Sequence, residues 1–120
     1  MADLEGVLVP IPTPFRGDDV AVDAVRANLE RWNQTSLTGY VVLGSTGEFP
    51  MLSEVERDRV LGAAREAIPR ERAFIAGTGT NSTLHTIRQT KRAAEIGADA
   101  VIVITPHYFT KAFSQPAQVR

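Results

Sequence analysis

The chain has 120 residues, with 43% hydrophobic and 22% charged side chains, which is typical of a folded protein with one core and leaves no room for two domains. Thirteen Lys and Arg against fourteen Asp and Glu give a net charge of −1, which disfavours nucleic acids and anionic membrane surfaces as partners. With no cysteine, and with only His85 and His107, neither a disulfide framework nor a metal site is expected.

The N-terminal residues 1–5 are acidic and lack the apolar core of a targeting signal. No apolar run further along the chain approaches the ~18 residues that a membrane-spanning helix needs. We therefore expect a cytoplasmic protein with no membrane partner.

Four short apolar runs, rich in β-branched residues, recur along the chain and predict strands. Segments with helical patterning separate them, and this alternation is typical of βαβ units whose strands form a parallel sheet. The predicted strands are residues 7–11, 39–43, 73–76 and 100–104.

Three helices are predicted between these strands. The first runs from Asp23, as N-cap, to about Gln34, because its apolar residues recur one helical turn apart. The second starts with a capping box of Ser53 and Glu56 and stops before Pro69, and the third starts after residues 81–82 and ends at Gly97 in a left-handed conformation. The predicted buried side chains are Val25, Leu29 and Trp32 in the first helix, Val60, Ala64, Ala67 and Ile68 in the second, and Leu84, Ile87 and Ala94 in the third.

The C-terminal residues 114–120 read as the opening of a fourth helix, since Pro116 suits a first turn. Four strands and three and a half helices leave the edges of a parallel sheet unpaired. Eight such units make a (β/α)₈ barrel of ~250 residues. The sequence therefore predicts a truncated half-barrel, with residues 1–120 as the N-terminal half of one barrel domain and no internal boundary.

Chemistry in parallel α/β folds lies in the loops that follow the strands. Residues 44–48, with the sequence Gly-Ser-Thr-Gly-Glu, follow the second strand. Their glycines, hydroxyls and N–H groups suit a cradle for a carboxylate or phosphate oxygen. A tight turn capped by its own hydroxyls explains the same residues equally well, and Glu48 fits a solvated or loop-bracing carboxylate.

The loop at residues 77–82 begins Gly-x-Gly and opens the third helix, as a dinucleotide-binding loop does. A serine, Ser82, stands in place of the third glycine, and Asp99 precedes the fourth strand instead of closing it. A turn in which Asn81 and Ser82 cap the helix is the favoured interpretation.

Aromatic residues cluster after the fourth strand, at residues 105–109. Tyr108 suits either proton transfer or an interface, because a phenol has an apolar face and a polar tip, and covering the end of the sheet is an equal alternative. His107 fits a packed or surface role. Lys91 and Lys111 fit solvated positions, since neither lies in an apolar run that would make it nucleophilic.

Four motifs occur in order: residues 9–15 (Val-Pro-Ile-Pro-Thr-Pro-Phe), residues 44–48, residues 76–79 (Ala-Gly-Thr-Gly), and residues 97–99 leading into residues 105–108 (Thr-Pro-His-Tyr). Together they resemble the N-terminal half of the dihydrodipicolinate synthase and N-acetylneuraminate lyase family. The resemblance implies a barrel enzyme, commonly a homotetramer built of dimers, that needs no cofactor. Such enzymes form a Schiff base between a lysine and pyruvate or another 2-oxo acid, and the enamine then adds to an aldehyde.

Carried over by the resemblance, Ser45 is the hydroxyl of a proton relay, and Tyr108 is the relay tyrosine that reaches a neighbouring subunit. Thr46 and Gly47 bind the carboxylate of the 2-oxo acid. The family's Schiff-base lysine and its principal tyrosine would fall beyond Arg120, and His107 replaces a tyrosine often found beside the relay tyrosine. The chain alone is therefore expected to be inactive.

The resemblance favours condensation of pyruvate with aspartate semialdehyde by the full-length lyase. Cleavage of 4-hydroxy-2-oxoglutarate is the runner-up, since residues 47–52 and 77–83 also resemble those aldolases, and an N-acetylneuraminate lyase is a further alternative. From another class, a noncatalytic half-barrel that binds a small carboxylate or self-associates stays open.

Overall fold

The computed structural model describes residues 4–108. Residue Phe109, Lys111 and the expected fourth helix therefore lie outside the described residues. In chain order the elements are β1 (Leu8–Pro10), β2 (Phe15–Arg16), β3 (Asp19–Val20), α1 (Val22–Trp32), β4 (Gly39–Val42), α2 (Glu54–Ala67), β5 (Ala73–Gly77), α3 (Thr83–Ile96) and β6 (Ala100–Ile102).

The predicted parallel sheet is confirmed. Strands β1, β4, β5 and β6 lie side by side in that order, and each neighbouring pair is parallel. Helices connect β4 to β5 and β5 to β6, so the strands follow one another across the sheet as they do in a (β/α)₈ barrel. The structure is thus a partial barrel of four strands.

The two faces of the sheet differ in burial. The alternate residues Tyr40, Val42, Phe74 and Ala76 belong to the buried core, together with Leu29 of α1 and Val60 and Ala64 of α2. The opposite face carries Val41 and Ile75, which are half-buried, and Ile102, which is exposed. The core therefore lies on the helix-covered side, and the other side holds apolar residues that residues 4–108 leave partly uncovered.

One buried polar group is satisfied within this core. The Tyr40 hydroxyl donates to Asn33 Oδ1 at 2.8 Å and accepts from Arg72 Nη1 at 3.2 Å. Because Asn33 follows α1 and Arg72 precedes β5, the Tyr40 hydroxyl connects the end of α1 to the start of β5. A buried hydroxyl without partners would instead cost stability.

The ends of α2 and α3 form as predicted. Ser53 Oγ accepts from the Glu56 N–H at 3.3 Å, and Glu56 Oε2 accepts from the Ser53 N–H at 2.8 Å, which completes the capping box. Ser82 Oγ accepts from the His85 N–H at 3.3 Å. At the far end of α3, Gly97 adopts a φ of 109°, a conformation that glycine reaches without strain.

The predicted N-cap of α1 is wrong. The helix begins at Val22 after Ala21, which makes no side-chain cap, and it ends at Trp32. Asp23 lies within the first turn, where its carboxylate forms an ion pair with Arg16 at 2.9 Å. The partner comes from the hairpin of β2 and β3, which the strand patterning missed because each strand has only two residues.

The predicted inward face of α3 is also wrong. Leu84, Ile87 and Ala94 are exposed, whereas Gln89 and Ala93 are buried. The prediction assumed that the most apolar stripe faces the sheet. In the structure α3 packs with α2 and β6 through the other stripe, where the small Ala93 allows close approach.

Strand β4 ends one residue earlier than predicted because Leu43 has a φ of 59°. Its carbonyl turns toward β5, so that a Cβ placed on Gly77 would lie 1.8 Å from Leu43 O. Leu43 is itself fully buried, and left-handed backbone at a non-glycine residue stores strain that surrounding packing must hold. Glycine at position 77 is therefore required by the neighbouring loop.

No helix within residues 4–108 is both long enough and apolar enough to cross a bilayer. This finding agrees with the absence of a long apolar run in the sequence. The longest helices, α2 and α3, have 14 residues each.

Gly77→Ala should destabilise the protein by about 3 kcal/mol or more, since the new methyl group collides with backbone that cannot move without breaking the sheet. Gly62→Ala is the matched control. A Cβ on Gly62 meets nothing within 4 Å, so this change in the middle of α2 should stabilise by about 0.5 to 1 kcal/mol. Urea denaturation of both variants measures the difference, and equal stabilities would contradict the proposed contact.

Glu56→Gln should flatten the acid limb of the stability curve. The Ser53 hydroxyl and the Ser53 N–H lower the pKa of the Glu56 carboxyl below its ordinary value of 4.5. A lowered pKa in the folded state means that the carboxylate stabilises the fold above pH 4.5, and that this contribution disappears as the pH falls through the folded-state pKa.

Thermal unfolding followed by circular dichroism from pH 7 to pH 3 checks this expectation. The Tm of the Glu56→Gln variant should fall less steeply below pH 4.5 than that of the wild type. Glu71→Gln, which removes an exposed carboxylate in a turn, serves as the control and should retain the wild-type slope. A Glu56→Gln curve parallel to the wild type would contradict the role assigned to the capping box.

Candidate functional site

The loops after β4, β5 and β6 meet at the carboxyl edge of the sheet and enclose a cavity of about 230 Å³. Most of its lining is apolar or glycine, and Ser45 and Thr78 contribute its hydroxyl groups. This is the edge at which parallel α/β folds bind their ligands. The lining residues are Leu43, Gly44, Ser45, Phe49, Pro50, Gly77, Thr78, Gly79, Ile102, Val103 and Ile104.

The predicted residues Ser45 and Thr46 lie in a single 3₁₀ turn directly after β4. The turn is closed by its own backbone, because the Gly47 N–H donates to Gly44 O at 3.0 Å and the Glu48 N–H donates to Ser45 O at 3.1 Å. Both side chains are exposed. Within residues 4–108 neither hydroxyl has a hydrogen-bond partner, so the alternative in which these hydroxyls cap their own turn is not the observed arrangement.

Gly47 is buried beneath this turn. Its carbonyl accepts a 2.7 Å hydrogen bond from Thr13 Oγ1, and a Cβ at this position would lie 3.2 Å from Ile11 O. Gly47 therefore contributes by its small size, with its N–H already used inside the turn. Glu48, with a φ of 55°, is exposed and ends the turn.

Thr13 was not singled out by the sequence, although it is almost completely buried. It follows β1 and its hydroxyl connects that segment to the loop after β4. The available signal was a lone hydroxyl between Pro12 and Pro14, since a threonine held by two prolines has little freedom of its own. Thr13 thereby holds the Gly47 carbonyl beneath the turn that carries Ser45 and Thr46.

The loop at residues 77–82 is braced by its own hydroxyls. Thr78 is buried and its hydroxyl lies 2.9 Å from Thr90 Oγ1 of α3. The Thr80 N–H donates to Thr86 Oγ1, also at 2.9 Å. A Cβ on Gly79 would lie 2.4 Å from Ile104 N. The close approach of Ile104, in the segment after β6, therefore accounts for the second glycine of the Gly-x-Gly pattern. Ser82 caps α3, as predicted.

Tyr108 and His107 lie beyond the cavity lining and are both exposed. Their backbone is held by Asn81, whose Oδ1 accepts from the His107 N–H at 2.8 Å and from the Tyr108 N–H at 3.2 Å. Lys91 is exposed on α3, as predicted. Among the described residues the structure thus brings Ser45 to the cavity and leaves Tyr108 on its outer side.

Arg57 is a second residue that the sequence did not single out. It is buried, and its guanidinium carbon lies 4.0 Å from the centre of the Phe49 ring, which lines the cavity. Its Nε and Nη1 atoms have no hydrogen-bond partner within residues 4–108, and burial lowers the pKa of the guanidinium. The cation therefore supports the cavity wall through the aromatic face. A charged residue in the first turns of a helix ordinarily faces solvent, so the sequence carried no signal for this position.

Within residues 4–108 no three His, Cys, Asp or Glu side chains lie close enough together to hold a metal ion. The two histidines are well separated along the chain, on α3 and after β6. Among the described residues, Ser45 and Thr78 are the hydroxyl-bearing residues that line the cavity at the carboxyl edge. Such groups suit hydrogen bonding to the oxygens of a small anionic ligand.

Comparison with known proteins identifies the family. Residues 3–118 match the model of the dihydrodipicolinate synthetase family. The 4-hydroxy-tetrahydrodipicolinate synthase of Staphylococcus epidermidis is 39% identical over 104 residues, which cover 87% of this chain and 35% of that enzyme. The chain spans about a third of the length of the curated relatives it matches.

Solved structures agree in fold. The 4-hydroxy-tetrahydrodipicolinate synthase of Methylacidiphilum fumariolicum SolV superposes with a TM-score of 0.83 at 33% identity, over 88% of this chain and 35% of that one. The chloride-inhibited dihydrodipicolinate synthase of Acinetobacter baumannii, complexed with pyruvate, gives a TM-score of 0.84 at 33% identity, over 88% and 37% of the two chains. Sequence and structure lead to one conclusion: this chain belongs to the dihydrodipicolinate synthetase family.

Proposed function

We propose that this chain is the carboxylate-binding, N-terminal half of a single barrel domain whose enzyme forms a Schiff base with a 2-oxo acid. The observation that carries the proposal is the pair of hydroxyls of Ser45, which lines the cavity, and the adjacent Thr46, neither of which has a hydrogen-bond partner within residues 4–108. The A. baumannii relative, described as complexed with pyruvate, supports a 2-oxo acid as the ligand.

The reaction proposed for the full-length enzyme is the condensation of pyruvate with aspartate semialdehyde, as in 4-hydroxy-tetrahydrodipicolinate synthases. A lysine amine attacks the C2 carbonyl of pyruvate, and water leaves to give an iminium. Loss of a proton from C3 then gives an enamine, which forms a carbon–carbon bond to the aldehyde. The lysine is expected beyond Arg120, so residues 1–120 alone bind and position but do not react.

Each hydroxyl has a separate part in this proposal. Thr46 Oγ1 donates to the pyruvate carboxylate, a charge-assisted bond that fixes the orientation of the C2 carbonyl. Ser45 Oγ relays the proton that the carbinolamine hydroxyl takes up in order to leave as water, and Tyr108 completes the relay of a neighbouring subunit. Gly47 leaves room for this arrangement, since a Cβ at this position would lie only 3.2 Å from Ile11 O.

Two other reactions and one other class remain alternatives. Cleavage of 4-hydroxy-2-oxoglutarate or of N-acetylneuraminate would use the same carboxylate contact with a different aldehyde. A noncatalytic half-barrel that binds a small carboxylate or self-associates would also use the hydroxyls. The names of the relatives favour the synthase reaction. We further propose a cytoplasmic homodimer or homotetramer that needs no cofactor.

Thr46→Val is expected to raise the KM for pyruvate about ten- to hundredfold, because it removes one charge-assisted hydrogen bond and keeps the shape of the side chain. Thr46→Ser keeps the hydroxyl and is the matched control, with a KM near that of the wild type. The measurement is steady-state kinetics of the complete gene product with pyruvate and aspartate semialdehyde. An unchanged KM in Thr46→Val would remove Thr46 from the carboxylate site.

Ser45→Ala is expected to lower kcat about a hundredfold while leaving the KM for pyruvate nearly constant, because a relay hydroxyl acts on proton transfer and not on binding. The same assay, repeated with glyoxylate and with N-acetylmannosamine as aldehydes, separates the three lyase reactions. A complete product that turns over none of the three aldehydes would favour the noncatalytic half-barrel.

A further inference from the structure

The loop that carries Tyr108 is tied to the preceding βα loop by one side chain. Asn81 Oδ1 accepts hydrogen bonds from two successive backbone N–H groups, those of His107 and Tyr108, at 2.8 and 3.2 Å. A carbonyl oxygen has two lone pairs and can serve both donors at once. These bonds join positions 26 and 27 residues apart in the chain, so they restrain the loop from outside itself.

Asn81 is in turn held by the start of α3. Thr80 donates its N–H to Thr86 Oγ1 at 2.9 Å and its hydroxyl to Ser82 O at 2.9 Å. The amide side chain therefore projects from a turn that these two hydrogen bonds of Thr80 hold against the start of α3.

The loops after β5 and β6 also approach each other closely nearer the sheet, at residues 78–79 and 102–104. A Cβ on Gly79 would lie 2.4 Å from Ile104 N, and the Thr78 N–H donates to Ile102 O at 3.1 Å. Beyond Ile104, the two segments are joined by the hydrogen bonds that Asn81 Oδ1 accepts from residues 107 and 108. Asn81 thus continues the pairing of the two segments past the end of β6.

We propose that Asn81 is a positioning residue for Tyr108: it fixes the backbone from which the phenol extends and so sets where the relay hydroxyl lies. The proposal rests on the proposed function, in which Tyr108 completes the proton relay of a neighbouring subunit. It assigns Asn81 no contact with the substrate. Asn81 acts through the backbone N–H groups of residues 107 and 108, for which an amide oxygen is a sufficient acceptor.

The substitutions follow from this geometry. Asn81→Leu keeps the approximate size of the side chain and removes the acceptor. Asn81→Asp keeps an oxygen at the same position, and its charge is tolerated because Asn81 is exposed. Ser82→Ala is the control for helix stability, because it removes the cap of α3 without touching the bonds to residues 107 and 108.

The first readout is hydrogen–deuterium exchange of the complete gene product, followed by mass spectrometry in peptides that contain His107 and Tyr108. In Asn81→Leu these amides should exchange roughly tenfold faster, since their acceptor is gone. Asn81→Asp and Ser82→Ala should retain wild-type exchange there. This readout tests the contact whether or not the protein has the proposed activity.

The second readout is kinetic. Asn81→Leu should lower kcat about tenfold with an unchanged KM for pyruvate, because a displaced relay group affects proton transfer and not the carboxylate contact. Asn81→Asp should restore kcat. Unchanged exchange at residues 107 and 108 in Asn81→Leu would overturn the proposal, and so would faster exchange with unchanged kcat. Absence of turnover in the wild type would instead refute the proposed function.

Discussion

The contact between the Leu43 carbonyl and Gly77 is the constraint on which the carboxyl edge of the sheet depends. It lets β4 end in a left-handed residue at full burial, which turns the chain abruptly into the Ser45–Gly47 turn. A side chain at position 77 would force the two strand ends apart. Strained backbone persists only where packing holds it, and here the strained residue lines the cavity.

Burial decreases from that contact toward the surface of the candidate site. Thr13 and Gly47 are buried and joined by a hydrogen bond, whereas Ser45 and Thr46, in the same turn as Gly47, are exposed. Arg57 supports the wall through the Phe49 ring. Exposed hydroxyls on a buried base suit the binding of a small anion, because the hydroxyls then lose little freedom when a ligand arrives.

The sheet has one face packed under helices and one face with apolar residues partly exposed, among them Ile75 and Ile102. In a closed barrel that second face is the interior, filled by side chains from all the strands. The chain spans about a third of its curated relatives. Under the proposed function, the remaining barrel strands and the Schiff-base lysine correspond to the part of the relatives that this chain does not cover.

Local chemistry explains which features could be predicted from the sequence. The capping box of Ser53 and Glu56 and the left-handed Gly97 depend on a few neighbouring residues, and both are confirmed. The N-cap at Asp23 is wrong because the helix begins at Val22, so that Asp23 lies in the first turn and pairs with Arg16. The inward face of α3 is wrong because the packing of α3 with α2 and β6 buries another stripe of the helix.

The candidate site follows the same division. The hydroxyls of Ser45 and Thr46 were visible in a motif after a strand. Thr13 acts on a carbonyl 34 residues away, and Asn81 acts on two backbone amides 26 and 27 residues away. Arg57 packs on the nearer Phe49 ring. No local sequence pattern encodes these contacts, so only the assembled fold reveals them.

The central claim is that these residues form the carboxylate-binding half of a Schiff-base enzyme, and covalent trapping tests it most directly. The complete gene product is incubated with pyruvate and borohydride, digested, and searched by mass spectrometry for a lysine that carries one reduced pyruvate. The account predicts a single modified lysine beyond Arg120, with trapping at low pyruvate concentration reduced in Thr46→Val. A product that gains no mass, or one modified at Lys91 or Lys111, would contradict it.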